Sequence, residues 1–203
     1  MTVAPNIARL YISLAGTEPQ IWRRVEVSLG VSLSDLHDVI QAVMPWEDCH
    51  LFQFEIAGQC YGVPDPESDT DPNILDAEDA RLGSFAAEGV TEFAYIYDFG
   101  DNWRHQIVIE ALARAASNAK YPRFLDGQGR APPEDVGGVD GFNEFVKTIT
   151  KGNKAAKQQA IEWYGGGFDP TEIDVDEIKL DLAEIAKPLP SSKSGGTKRD
   201  SGP

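Results

Sequence analysis

Eleven residues of this chain have side chains and neighbours suited to chemistry. They are Arg23, Arg24, His37, Trp46, His50, Asp98, Asp101, Trp103, His105, Glu134 and Asp135. Imidazole, carboxylate and guanidinium together can hold a polar ligand or move a proton. Three of them, Arg23, His50 and His105, fall in register with apolar residues on strand-like segments. A charged or polar group on an apolar face costs free energy unless it is paired. Asp98 and Asp101 bracket a turn just before His105 and are the natural partners. Two readings follow. Either these groups converge at one sheet edge on a polar ligand, or they form a structural network that locks the turn and the sheet.

Other constellations are weaker. His37, Cys49, His50, Cys60 and His105 have the right types for zinc. They lack the two sets of closely spaced pairs that a structural zinc site shows, so no metal or cofactor is expected. Asp65, Glu67, Asp69, Asp71 and Asp76 alternate as in a calcium loop. Thr70 stands where such a loop needs glycine and Asp76 where it needs glutamate, so the run reads as a solvated acidic loop. Asp98-Phe99-Gly100 has no Gly-rich loop or strand lysine to make it a kinase element. Gly165-Gly166-Gly167 follows a helix and reads as its stop. Glu134 and Asp135 suit the start of a helical turn, where acids favour the dipole.

The elements that must position these groups are legible from periodicity. Ile7–Leu14 alternates with Ala8, Leu10, Ile12 and Leu14 on one face. Residues 15–20 turn the chain into Ile21–Leu29, which puts Arg23 with the apolar residues and Arg24 opposite. Ser32 caps a helix running to Met44, with His37 bordering its apolar stripe. Strands are expected at His50–Ile56, around Tyr61, at Glu92–Asp98 and at Arg104–Leu112. Residues 64–79 read as a loop. Helices follow around Phe142–Ile149, Lys154–Tyr164 and Thr171–Ala186. The fold class is α+β, a mixed, largely antiparallel sheet with a ββαβββ-type core and a C-terminal helical region.

Several stretches resemble the plasmid pRiA4b ORF-3-like family. They include Pro19-x-Ile21-Trp22-Arg23-Arg24, Leu36-His37-x-x-Ile40-Gln41-x-x-Met44-x-Trp46 and His50-Leu51-x-x-Phe54. Further along come Tyr61-Gly62, Tyr97-Asp98-Phe99-Gly100-Asp101-x-Trp103-x-His105 and Tyr121-Pro122. Pro132-Pro133-Glu134-Asp135-x-Gly137-Gly138 and Phe168-Asp169-Pro170 complete the series, over roughly residues 5–185. The resemblance implies an α+β domain and no defined activity. Some relatives carry an insertion-element or resolvase-like label. Ser13 follows a strand as a recombinase nucleophile would, but the clustered arginines that such chemistry needs are missing. Phe52 stands where a second histidine is frequent in relatives, which takes support from a metal reading.

Composition narrows the function classes. The 203 residues carry a net charge of −15. Residues 187–203, rich in Pro, Ser and Gly, contribute +3 and are expected to be a disordered tail, leaving −18 on a single domain over 1–186. Such acidity argues against general binding to a phosphate backbone. No apolar run approaches the roughly 20 residues of a membrane span, and no leader is visible, so a cytoplasmic protein is expected. The first functional reading is a non-catalytic binding or interaction domain, accessory to plasmids or mobile elements, that takes a protein partner or a small polar ligand. The alternatives are an enzyme on a small polar or phosphorylated substrate using a His–carboxylate pair, and a nucleic-acid accessory protein.

Overall fold

The computed structural model describes residues 4–64 and 74–186. The expected tail and the acidic residues Asp65, Glu67, Asp69 and Asp71 lie outside them. Eight strands are present among the described residues: β1 (Ile7–Leu14), β2 (Ile21–Ser28), β3 (Phe52–Ile56), β4 (Gln59–Gly62), β5 (Leu75–Asp76), β6 (Glu92–Tyr97), β7 (Trp103–Ala113) and β8 (Arg123–Gln128). They form one sheet in the order β5-β4-β3-β6-β7-β1-β2-β8. Only the short β4–β5 pair is parallel. The helices are α1 (Leu33–Val43), α2 (Leu82–Ala87), α3 (Gly138–Lys151), α4 (Lys154–Tyr164) and α5 (Val175–Ile185). The molecule is thus α+β with a mixed, mostly antiparallel sheet. None of these helices is long and apolar enough to cross a membrane.

The inward face of the sheet carries the alternate apolar residues. Ala8, Leu10, Ile12 and Leu14 of β1 are all fully buried, with Ile21 and Val25 of β2 beside them. The α1 stripe of Leu33, Leu36, Val39, Ile40 and Val43 belongs to the same core, as do Phe142 of α3 and Ile178 of α5. Ser32 caps α1 as its side chain accepts from the Asp35 amide. The outward face is polar, as expected of an antiparallel sheet with one solvated side. Arg24 there makes a bidentate pair with Glu110 at 2.7 and 2.8 Å and lies over Trp22.

Three sequence expectations need correction. His50 lies in the bend before β3, not on its apolar face, because pairing with β6 begins only at Phe52. Strand β5 falls within residues 64–79, which read as a loop, and β8 in a stretch where the sequence predicts no strand. Leu75 and Asp76 are exposed and β8 is mostly so, which leaves no apolar alternation to reveal either. Residues 132–135 do not begin a helix. Gly137, at φ +91°, caps α3, and Gly138 is its first residue.

Candidate functional site

The sheet presents stacked aromatic rows to α1 and the loops above it. Cross-strand pairs Tyr97↔Trp103 and Tyr95↔His105 join β6 to β7, and Phe52↔Tyr97 and Phe54↔Tyr95 join β3 to β6. Trp46, just after α1, stacks on Tyr97 at 5.0 Å and meets the His105 ring edge-on at 5.4 Å. Its indole N–H donates to the Pro132 carbonyl at 2.9 Å. That bond ties the loop before α3 to the end of α1.

His105 is sealed beneath this layer. It has no exposed surface, and its Nδ1–H donates to the Trp103 carbonyl at 3.0 Å. Burial pushes its pKa down to about 4, so it stays neutral near pH 7. Trp103 is equally buried. The His105 Nε2 has no hydrogen-bond partner, so the pairing of Asp98 or Asp101 with His105 suggested by sequence spacing does not form.

Arg23 is also interior, with 1% of its surface exposed. Its guanidinium binds no carboxylate among the described residues. Nε donates to the Val43 carbonyl at 2.7 Å, and Nη1 donates to Trp22 and Gln128 carbonyls at 3.0 and 3.1 Å. Burial lowers its pKa to about 10, which leaves it charged. The cation sits at the C-terminal end of α1, where the helix dipole favours it. Arg23 therefore clamps α1 to β2 and β8, and Arg24 is on the opposite side of the sheet.

His37 is a second interior brace. The Tyr95 hydroxyl accepts from Gln41 Nε2 at 3.1 Å and so donates to His37 Nδ1 at 2.8 Å. The network places the His37 proton on Nε2, which donates to Asp48 Oδ1 at 2.8 Å. The Asp48 amide in turn donates to Gln41 Oε1 at 3.1 Å. Burial holds the His37 imidazole below its usual pKa, against the opposing pull of Asp48. The result is a fixed path for the segment that carries Cys49 and His50.

Four of the predicted residues do converge. His50 Nε2 lies 3.7 Å from Asp98 Oδ2, 4.0 Å from Glu134 Oε2 and 3.3 Å from Asp135 Oδ1. Three chain segments meet here: the bend before β3, the end of β6 and the loop before α3. Each of the two better-buried carboxylates has one oxygen held by the scaffold. Glu134 Oε1 accepts from the Tyr97 hydroxyl at 3.0 Å and from the Glu47 amide at 3.1 Å. Asp98 Oδ1 accepts from the Gly100 amide at 2.8 Å. The other oxygen of each faces His50. Asp101 does not join them but braces the same loop, accepting from the Gly137 amide at 3.1 Å.

Two polar atoms of this cluster are buried with no hydrogen-bond partner, His50 Nε2 and Glu134 Oε2. Unsatisfied buried polar atoms are uncommon and call for an explanation. No lysine or arginine pairs with Asp98, Glu134 or Asp135 among the described residues. The recess is therefore a concentration of negative charge around one imidazole.

Sequence reasoning missed Tyr97 and weighed Cys49 only as part of a zinc set. Tyr97 accepts from the Cys49 amide at 3.1 Å while it donates to Glu134. Burial raises its pKa, and the Cys49 contact and the Glu134 charge add to this, so it remains a phenol and a donor. Its place in the Tyr97-Asp98 motif was the available signal. Cys49 approaches a ring nitrogen of His50 and a Glu134 oxygen, with all three donor atoms within 4.8 Å of one another. His37, Cys60 and His105, its expected companions in a zinc set, are elsewhere: Cys60 lies on β4 opposite Glu55.

A separate groove of about 540 Å³ lies between α3 and α4, lined by Phe145, Thr148, Ala160 and Trp163 among others. Trp163 is 54% exposed there.

Comparison with known proteins agrees with this architecture. A protein of unknown function, MM3350 from Methanosarcina mazei Go1, has a crystal structure that superposes with a TM-score of 0.77 at 32% identity. The match covers 86% of this chain and 97% of that one. The uncharacterized protein y4hQ of Sinorhizobium fredii is 34% identical over 183 residues, 89% of this chain and 93% of its own length. The family model described as plasmid pRiA4b ORF-3-like protein matches residues 6–177, the span that contains every strand and every residue of the His50 recess, and the chain belongs to that family.

Proposed function

We propose that this chain is a non-catalytic binding domain whose site is the recess of His50, Asp98, Glu134 and Asp135, and that its ligand is cationic. The observation that carries the reading is the pair of buried, unpartnered atoms, His50 Nε2 and Glu134 Oε2, set among carboxylates with no basic neighbour. A positive group there would satisfy both atoms and offset the mutual repulsion of the acids. Scaffold bonds to the far oxygens of Asp98 and Glu134 suit a site that holds rather than rearranges. His105 has no access to substrate, which removes one of the two histidines an acid–base mechanism would draw on. The plasmid setting in the family's name supports an accessory role for such a module.

The test is a thermal-shift series with organic cations (amines, guanidines, polyamines) and divalent ions, on wild type and His50→Ala. A ligand at 100 times its Kd stabilises by about 2.7 kcal/mol, which raises the midpoint of a protein this size by about 5 °C or more. At least one cation is expected to do so in wild type and not in His50→Ala. No response to any cation, or an equal response in the variant, overturns the reading.

A further inference from the structure

We infer that the cation is a divalent first-row transition-metal ion of the Zn²⁺ type, with His50, Asp98 and Asp135 as its ligands. The inference rests on the binding reading above and narrows it to one ligand class.

The geometry of the donor atoms carries it. Around an ion bound at about 2.1 Å, neighbouring donors lie about 3.0 Å apart in an octahedron and about 3.4 Å apart in a tetrahedron. Asp135 Oδ1 and Asp98 Oδ2 lie 3.3 and 3.7 Å from His50 Nε2, and one donor atom of each of the three residues lies within 4.8 Å of the other two. At 3.7 Å, Asp98 is too far to hydrogen-bond the ring directly. These separations are close to the edge lengths of a coordination shell, which a small contraction onto a central ion would complete. The unpartnered Nε2 is then a donor awaiting an acceptor of electron pairs rather than a flaw in packing.

The surroundings have the form of an outer shell. Metal-binding carboxylates are commonly fixed through their second oxygen by hydrogen bonds. The Gly100 amide does this for Asp98, and Tyr97 and the Glu47 amide hold the neighbouring Glu134 in place. The side chain of Asp98 is nine-tenths buried, with its other oxygen turned to His50. Two carboxylates and a neutral imidazole give −2, which a divalent ion balances. The nitrogen donor separates the site from one built for calcium or magnesium, which take oxygen almost exclusively.

The experiment uses the full chain, stripped with a chelator and dialysed, then titrated with Zn²⁺ and, separately, with Ca²⁺. One Zn²⁺ per chain is expected, bound at least about tenfold more tightly than Ca²⁺. His50→Gln should lose the ion. Asp135→Asn, a change at a side chain 77% exposed, should fold normally and weaken binding at least about tenfold. Circular dichroism of each stripped variant establishes that it is folded. The inference is overturned if stripped wild type takes up no stoichiometric zinc. It is equally overturned if zinc binds His50→Gln as tightly, or if Ca²⁺ binds as tightly as Zn²⁺. Should an organic cation show His50-dependent stabilisation in chelating buffer while zinc does not bind, the metal assignment falls and the recess remains the binding site. Should neither bind, both fall.

Discussion

Three side chains of the same polar class meet three different fates, decided by what lies opposite them. His50 ends at a recess lined by carboxylates, His37 in a chain of interior hydrogen bonds, and His105 under Trp46 with its Nε2 unpartnered. His105 makes a prediction about acid stability. The folded ring takes a proton only near pH 4, whereas an unfolded chain takes it near 6.5. The unfolded state therefore binds more protons between these values, and stability present above pH 6.5 is lost as the pH falls towards 4. The loss from this residue amounts to about 3 kcal/mol, and His37 adds to it in the same direction. Urea unfolding at pH 7, 6 and 5 should show it. His105→Leu should flatten the slope by up to about 1.4 kcal/mol per pH unit, and an unchanged slope would mean that His105 does not stay neutral inside.

The recess depends on how its loops are pinned, and one glycine is decisive. Gly138 begins α3 at φ +67°, and a Cβ there would lie 2.6 Å from the Asp101 carbonyl oxygen. Gly138→Ala must push the Asp101 turn and the 132–137 loop apart, and with them Asp98 from Glu134 and Asp135. It should cost about 2 kcal/mol and weaken ligand binding at least about tenfold. Gly89→Ala is the control: φ there is +87°, but a Cβ meets nothing within 4 Å. It should cost about 1 kcal/mol of stability and leave affinity unchanged, as paired melts and titrations would show. These elements were largely readable in advance. The alternation of β1 and the 3.6-residue stripe of α1 placed their buried faces residue by residue. Strand β8 was not readable because its residues are mostly exposed on an edge paired only with β2. Of the recess, His50, Asp98, Glu134 and Asp135 stood out by type. Their convergence depends on the cross-chain bond from Trp46 to Pro132, which sequence spacing does not encode.

At the scale of the molecule, the eight-stranded sheet acts as a rigid floor, and the loops at one end of β3, β6 and β7 carry the polar groups. Arginines that could meet an anion are absorbed by structure: Arg23 by three carbonyls, Arg24 and Arg104 by Glu110 and Glu55 on the outer face. The local charge that remains unbalanced near His50 is negative, in keeping with the net −15 of the chain. The account thus turns on a cation seated at His50. Crystals grown with Zn²⁺ and measured on either side of the zinc absorption edge test this most directly. An anomalous peak within about 2.3 Å of His50 Nε2, bridged to Asp98 Oδ2 and Asp135 Oδ1, is the result predicted. A zinc-saturated crystal with no peak in the recess, and His50 hydrogen-bonded directly to one of its acids, would contradict it.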